Sequence, residues 1–347
     1  MRGLRIMTKP IKYHASGQGA LIAVSWGDPA GVGPEVILKS FPRLSKRLRG
    51  KLTVFGSLSY FLALERRLKT GVDIVDASKK IGKMFDGLRV DDVVDMKFSQ
   101  KNFGKIDRLS GKAAMTGVAR AVEAVCEGRF GALVTAPINK EAVNLAGYRI
   151  AGHTEFLSEA LGGVEVAMML SSKKLSVVVA TTHVAIRDVP GRLSRKKLTG
   201  LFKLIHRSLI KFGVKKPRLA VCGLNPHASD GGLFGDEEKN IIAPAIKAVR
   251  GAGVDVSGPY PADTMFTQRA ISGYDVAVAM YHDQGLVPVK ALSFAKTVNI
   301  TLGLPFVRVS VDHGTAFDIA GKRRADATSM IHAIKTCDQI LNGKFRV

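Results

Sequence analysis

Eleven residues, Met280 to Lys290 (MYHDQGLVPVK), set an imidazole, a carboxylate, a glycine and a cation side by side. The apolar run Tyr274 to Met280 (YDVAVAM) reads as a buried strand. His282 and Asp283 then emerge at its carboxyl end, where open α/β sheets bind ligands. Gly285 is expected to turn the chain, and Lys290 to reach back toward an anionic substrate as a compact point charge. Taken alone, this stretch is better explained as a solvated loop with His282 capping the sheet. Two further strands end in the same way. Leu175 to Thr182 leads into His183 and Arg187, and Leu219 to Leu224 leads into Asn225, Pro226 and His227. Three strand ends that each deliver a histidine suit a divalent metal, because a catalytic zinc-type site takes three protein ligands and keeps one position open. Single dispersed histidines are a weaker signal than HExxH or paired CxxC, and the weight here comes from the repeated context.

The elements that must carry these residues alternate between strand and helix along the whole chain, which implies an α/β architecture. Leu21 to Ser25 reads as a first buried strand, followed by a glycine-rich turn and a helix opening near Pro34. Lys51 to Gly56 and Val72 to Val75 are further strands, while residues 86–108 show no clear period. Ser110 to Gly128 is an amphipathic helix, and Ala132 to Thr135 a buried strand. Thr154 is expected to cap the helix that begins around Gly152 to Glu155, with His153 beside it. Val164 to Thr182 reads as an antiparallel hairpin turning at Lys173-Lys174, which makes the sheet mixed. Helices follow at Ser194 to Phe212 and Asp236 to Arg250. Asp263 is expected to cap a helix running to Ala270. Val298 to Thr301 and Phe306 to Val311 are late strands, and Ala325 to Leu341 a final helix.

Neither GxGxxG nor GxxxxGK[ST] occurs, so the common nucleotide fingerprints are absent. The 347 residues suffice for two domains, and no apolar run approaches the roughly 18 residues of a membrane helix. No membrane partner is expected. Cys126, Cys222 and Cys337 are scattered, without CxxC spacing, which argues against a disulfide framework and for a reducing, cytoplasmic setting. Lysine and arginine outnumber acidic residues 52 to 29, for a formal net charge of +23. That balance suits anionic partners in general. Nucleic acid is not an expected partner, since no zinc finger, basic zipper or RNP-like aromatic pattern accompanies the charge.

Eight ordered blocks carry a more specific message: GDPAGVGPE, TAPINKEA, AGHTEFL, THVAIRDV, GLNPHA, GPYPADTMF, YHDQGLVPVK and NITLGLPFVRVSVDHGTAFDIAG. Together they resemble the 4-hydroxythreonine-4-phosphate dehydrogenase family of pyridoxal phosphate biosynthesis, over about Leu21 to Leu341. The resemblance implies the fold of the isocitrate and isopropylmalate dehydrogenases, with two α/β/α domains around a cleft. Residues 1–18 are then a loosely ordered basic extension, 19–134 with 305–347 a first domain, and 135–304 a second domain carrying metal and substrate residues. The resemblance further implies a homodimer whose active site is shared between subunits. His183, His227 and His282 match the family's ligands to a divalent metal (zinc, magnesium or cobalt), drawn from both subunits. Its substrate contacts fall on His153, Thr154, Lys290, Asn299 and Arg308. Lysine and arginine neutralise phosphate and carboxylate, while asparagine and threonine orient polar groups. Ser229-Asp230 and Val184-Ala185-Ile186 depart from the family's commoner Gly-Glu and Leu-Pro-Leu; they flank ligands and bear on substrate or cofactor preference.

The implied reaction is oxidation of the C3 hydroxyl of 4-phosphooxy-L-threonine by NAD or NADP, followed by decarboxylation. A Lewis acid lowers the pKa of such a hydroxyl and then polarises the ketone. Asp263 and Asp283 are candidates for proton transfer or for orienting the ligands, against the simpler readings of helix cap and surface carboxylate. His206 and His332 read as core or surface residues on helices. His313 lies in a loop that fits either cofactor contact or packing. The alternatives are oxidation of D-threonate or D-erythronate 4-phosphate on the same fold, a metal-dependent hydrolase of a phosphorylated substrate, and a basic RNA-associated protein.

Overall fold

The computed structural model describes residues 20–79 and 85–347. The basic extension expected over residues 1–18 lies outside them. Twelve strands run through the described residues: β1 Ile22–Ser25, β2 Leu52–Gly56, β3 Ile74–Asp76, β4 Leu88–Asp92, β5 Ala132–Thr135, β6 Ala167–Ser171, β7 Ser176–Val179, β8 Leu219–Cys222, β9 Val256–Tyr260, β10 Val276–Ala279, β11 Val298–Leu302 and β12 Val307–Val311. Helices fill most of the connections, so the chain is an α/β protein.

Two compact units divide it. The first comprises Met1–Val164 and Leu304–Asn342, the second Glu165–Gly303 and Gly343–Val347. Residues 135–164 thus cluster with the first unit. The physical reason is the close packing of Lys140–Leu145 on the long helix Arg108–Cys126, where a Cβ at Gly111 would come within 2.0 Å of the Ala142 carbonyl oxygen.

In the first unit the order is β3-β4-β2-β1-β5-β12, every pairing parallel. Its central strands are apolar on both faces and buried throughout, as a parallel sheet covered on two sides requires. Trp26, fully buried just past β1, packs edge-on against Tyr60 with ring centroids 5.4 Å apart, and its indole N–H donates to the Ala113 carbonyl at 3.1 Å. Asp107 accepts from the amides of Leu109 and Ser110 and so caps Arg108–Cys126. Lys51 at the entry to β2 and Arg47 both donate to Asp338 on the terminal helix Thr328–Leu341. Burial raises the Asp338 pKa, but these hydrogen bonds outweigh it and leave the carboxyl below its usual range.

In the second unit the order is β11-β6-β7-β10-β8-β9. The expected hairpin is present: β6 pairs antiparallel with both β7 and β11. From β7 onward the pairings are parallel, which brings the carboxyl ends of β7, β10 and β8 side by side. Leu198, Phe202, Ile205 and Leu209 form the buried stripe of Arg195–Lys211, and the Ser194 hydroxyl accepts from the Lys197 amide as its cap.

Candidate active site

The three histidines of the second unit leave from neighbouring strand ends. His183 follows β7 and is exposed, while His282 opens the helix His282–Ser293 directly after β10. Their rings face each other with centroids 5.6 Å apart and planes tilted by 42°. The His282 Nδ1 is 2.6 Å from Asp283 Oδ1, so the carboxylate orients the ring and leaves Nε2 for another partner. Gly285 does not end the strand in a turn as expected; it lies inside the helix. A Cβ there would come within 2.6 Å of Val177 Cγ1 and 3.0 Å of the Ala279 Cβ, so glycine is what lets the helix lie against β7 and β10. Lys290 sits further along this helix with its ammonium 5.8 Å from the Phe294 ring centroid.

His227 sits in a different kind of segment. His227, Ala228, Ser229 and Asp230 all have positive φ, at 53°, 52°, 76° and 43°. Left-handed backbone costs roughly 1–2 kcal/mol for each non-glycine residue, so something must hold this loop. Glu238 does so from a buried position. Its Oε1 accepts from the amides of Leu224 and Asn225 at 2.7 and 2.8 Å, and its Oε2 from the Asn225 side chain at 2.9 Å. Glu238 opens a π-helical turn, Glu238–Ile242, a geometry that often marks functional positions. Among the described residues, no group of three or more His, Cys, Asp or Glu is placed to hold a metal ion within the single chain. His183 and His282 come together, and His227 does not join them in such a group.

Asp263 lies within the short helix Ala262–Met265 instead of capping it, because Pro261 takes the cap position, and the following helix is capped by the Thr267 hydroxyl. Its carboxylate is exposed, as is that of Asp283. Asn299 on β11 keeps its Oδ1 buried and without a hydrogen-bond partner.

The remaining candidates lie in the first unit. The side chain of Arg308 on β12 is buried, and its guanidinium donates to the Thr135 hydroxyl on β5 at 2.7 Å. Burial pulls the Arg308 pKa down to about 10, partly offset by the charge of Glu155. His153 begins the helix His153–Ala160, with Gly152 in the cap position expected of Thr154. Its Nε2 is buried and unpartnered. Burial, and then the Arg308 cation, hold His153 well below the usual imidazole range, so it is neutral at physiological pH. A neutral imidazole beside a buried guanidinium is suited to receive an anion with a hydroxyl or amine attached.

Asp28 stands out in the same unit although its residue type in a glycine-rich turn gave no signal of its own. It is fully buried, with Oδ1 accepting from the Ala30 amide at 2.8 Å and Oδ2 unpartnered. Burial raises its pKa to about 6. The turn meets the loop after β12 through the Val32 amide, which donates to the Thr315 carbonyl at 3.0 Å. In that loop His313 places Nδ1 2.9 Å from the Gly314 carbonyl and keeps Nε2 buried without a partner.

The first unit holds a buried guanidinium with unpartnered polar atoms near it, and the second brings two histidines together at adjoining parallel strand ends, features of an α/β protein that binds a polar ligand. The family model described as Pyridoxal phosphate biosynthetic protein PdxA matches residues 51–337. A 4-hydroxythreonine-4-phosphate dehydrogenase from a Sulfurihydrogenibium species is 43% identical over 318 residues, covering 90% of this chain and 96% of that protein. A D-threonate 4-phosphate dehydrogenase from Salmonella typhimurium is 41% identical over 323 residues, covering 92% and 98%. Among solved structures, 4-hydroxythreonine-4-phosphate dehydrogenase from Klebsiella pneumoniae superposes with a TM-score of 0.80 at 40% identity, covering 93% of this chain and 99% of that one. The chain belongs to the PdxA family of pyridoxal phosphate biosynthetic proteins, and is an oxidoreductase.

Proposed function

We propose that the chain oxidises the C3 hydroxyl of 4-phosphooxy-L-threonine with NAD or NADP. The products are 2-amino-3-oxo-4-phosphooxybutanoate, the reduced nicotinamide and a proton. The keto acid then loses carbon dioxide to give 3-amino-2-oxopropyl phosphate, in the cytoplasm, for pyridoxal phosphate synthesis. The observation that carries this reading is the facing pair His183 and His282 at adjoining strand ends, in a chain so similar to relatives named for that activity.

His183, His282 and His227 are the donors for a divalent metal, zinc, magnesium or cobalt. The pair fits such an ion, since two imidazoles face each other and Asp283 fixes one ring from behind. A bound metal supplies Lewis acidity, which favours the ionised hydroxyl and polarises the ketone before decarboxylation. Arg308 and Lys290 neutralise the phosphate and carboxylate. His153 and Asn299 offer buried polar atoms to substrate donors, and Thr154 follows His153 in sequence. Asp263 and Asp283, both exposed, are the candidates for proton transfer.

The set of three histidines is completed across a homodimer, with His227 reaching the pair from a second copy. Support comes from apolar side chains around the histidine segments. Ile186, Leu233, Phe234, Tyr260, Val287 and Phe294 are between 42% and 76% exposed, large apolar side chains of the kind that a partner subunit covers.

A second reading is oxidation of D-threonate or D-erythronate 4-phosphate, and the relative named D-threonate 4-phosphate dehydrogenase at 41% identity favours the first of these. The metal and phosphate logic is the same for both. The test of the shared chemistry is NAD(P)H formation by chelator-treated protein before and after adding zinc, magnesium or cobalt. Restoration by metal supports the reading, and full turnover without metal contradicts it.

A further inference from the structure

Gln284 occupies a position that the metal reading does not use, two residues beyond His282. Its side chain spans two chain segments. The Oε1 accepts from the Met280 amide at 2.6 Å, and the Nε2 donates to the Gly223 carbonyl at 2.7 Å. Met280 precedes His282 by two residues, and Gly223 precedes the loop that carries His227. Backbone pairing between β10 and β8 runs only through Val278 and Val221, so at this level Gln284 replaces the sheet ladder with a side-chain bridge. On the other side of β10, the Met280 carbonyl accepts from both the amide and the hydroxyl of Thr181, at 3.2 and 2.8 Å. Thr181 precedes His183 by two residues. One residue, Met280, therefore fastens the departure points of all three histidines through its amide and its carbonyl.

The two sides of this frame differ in strength. Between β7 and β10 the backbone ladder continues through Ala180, whose amide donates to the Ala279 carbonyl at 2.8 Å, so His183 and His282 are held together by main chain. Between β10 and β8 the fastening is the single amide group of Gln284. Beyond it the His227 loop runs through its left-handed turn with Glu238 as its inner support. A carboxamide suits this post because it offers one acceptor and one donor in a rigid plane. A glutamate keeps the acceptor but turns a second oxygen toward the Gly223 carbonyl.

We propose that Gln284 is a positioning residue that fixes the His227 loop relative to the His183–His282 pair by bridging Met280 and Gly223. The inference rests on the reading of these histidines as metal ligands. In a dimer with shared sites each chain lends the pair to one site and the loop to the other. The bridge then sets the spacing on which both sites depend, without touching metal or substrate.

The test uses the full-length protein, freed of metal and titrated with Co2+, whose visible absorption reports the ligand geometry. Wild type, His282→Ala, Gln284→Glu and Gln284→Ala are compared, with melting temperatures measured alongside. Gln284→Glu keeps the Met280 bond, so it carries the comparison if the alanine variant melts early. The expected result is Co2+ affinity weakened about tenfold in both Gln284 variants, as for supports behind metal ligands, with an altered absorption band. In turnover, kcat should fall while KM, set by the separate anion contacts, holds. If His282→Ala loses Co2+ but both Gln284 variants keep wild-type affinity and spectrum, the bridge is overturned and the metal site stands. If wild type itself gives no Co2+ band and His282→Ala is indistinguishable from it, the metal reading fails and the bridge with it.

Discussion

The imidazoles of His183 and His282 meet at 5.6 Å although 99 residues separate them, because β7 and β10 are parallel neighbours paired from Ala277 with Val177 to Ala279 with Val179. Sheet register, not proximity in sequence, makes them a pair. His227 leaves from β8 on the other side of β10, inside a loop of opposite backbone hand.

This asymmetry gives the first prediction. His227→Ala and His282→Ala should each be inactive alone while keeping the fold. Mixed and reassembled, the two inactive proteins should recover about a quarter of wild-type activity, because half of the dimers are hybrids and one of their two sites is intact. Activity assays after mixing check this. No recovery, with hybrid formation confirmed, would place all three ligands on one chain.

Arg308 tests the anion contacts. Its guanidinium is held by the Thr135 hydroxyl and lies near the Glu155 charge, so it is fixed in place before substrate arrives. Arg308→Lys keeps a cation but loses the planar fork. KM for the phosphorylated substrate should rise about tenfold, with a smaller change in kcat. Steady-state kinetics decide, and an unchanged KM removes Arg308 from the substrate site.

Asp28 predicts a pH dependence of stability. Its pKa is raised by burial from 3.8 to about 6 in the folded chain, so the fold favours the protonated acid. The sign follows from linkage: this contribution is fully present below about pH 4 and is lost as pH rises toward about 6, a difference of about 3 kcal/mol. Asp28→Asn should therefore gain stability relative to wild type as pH increases from 4 to 7, then hold that gain. Urea titrations across this range measure it. A difference that does not change with pH would mean that Asp28 is ionised in the folded state at little cost.

Much of this architecture is legible in the residues themselves. Short apolar runs mark β1, β5, β7, β8 and β10, because strands buried on both faces need no polar positions. Ser194 announces its helix through its hydroxyl. β4 (LRVDD) escapes notice because charge interrupts its apolar pattern, and its place comes from pairing with β2 and β3. The helix after β10 is hidden by Gly285 and Pro288, which locally signal a turn; packing against Val177 explains the glycine, but only in three dimensions. The candidate histidines are visible as ends of strands, whereas Gln284, Glu238 and Thr181 are not. Their roles depend on carbonyls and amides of distant segments, and a side chain that binds backbone leaves no spacing to read.

Substrate and reaction can be tested together. The most direct measurement is NADH or NADPH formation by the metal-reconstituted protein, with 4-phosphooxy-L-threonine, D-threonate 4-phosphate and D-erythronate 4-phosphate compared side by side. The amino acid phosphate should have the highest kcat/KM, with carbon dioxide released alongside the reduced nicotinamide. Preference for a sugar-acid phosphate would contradict the assignment to pyridoxal phosphate synthesis while keeping the dehydrogenase. Silence with all three substrates would contradict oxidation of these phosphorylated substrates by this chain.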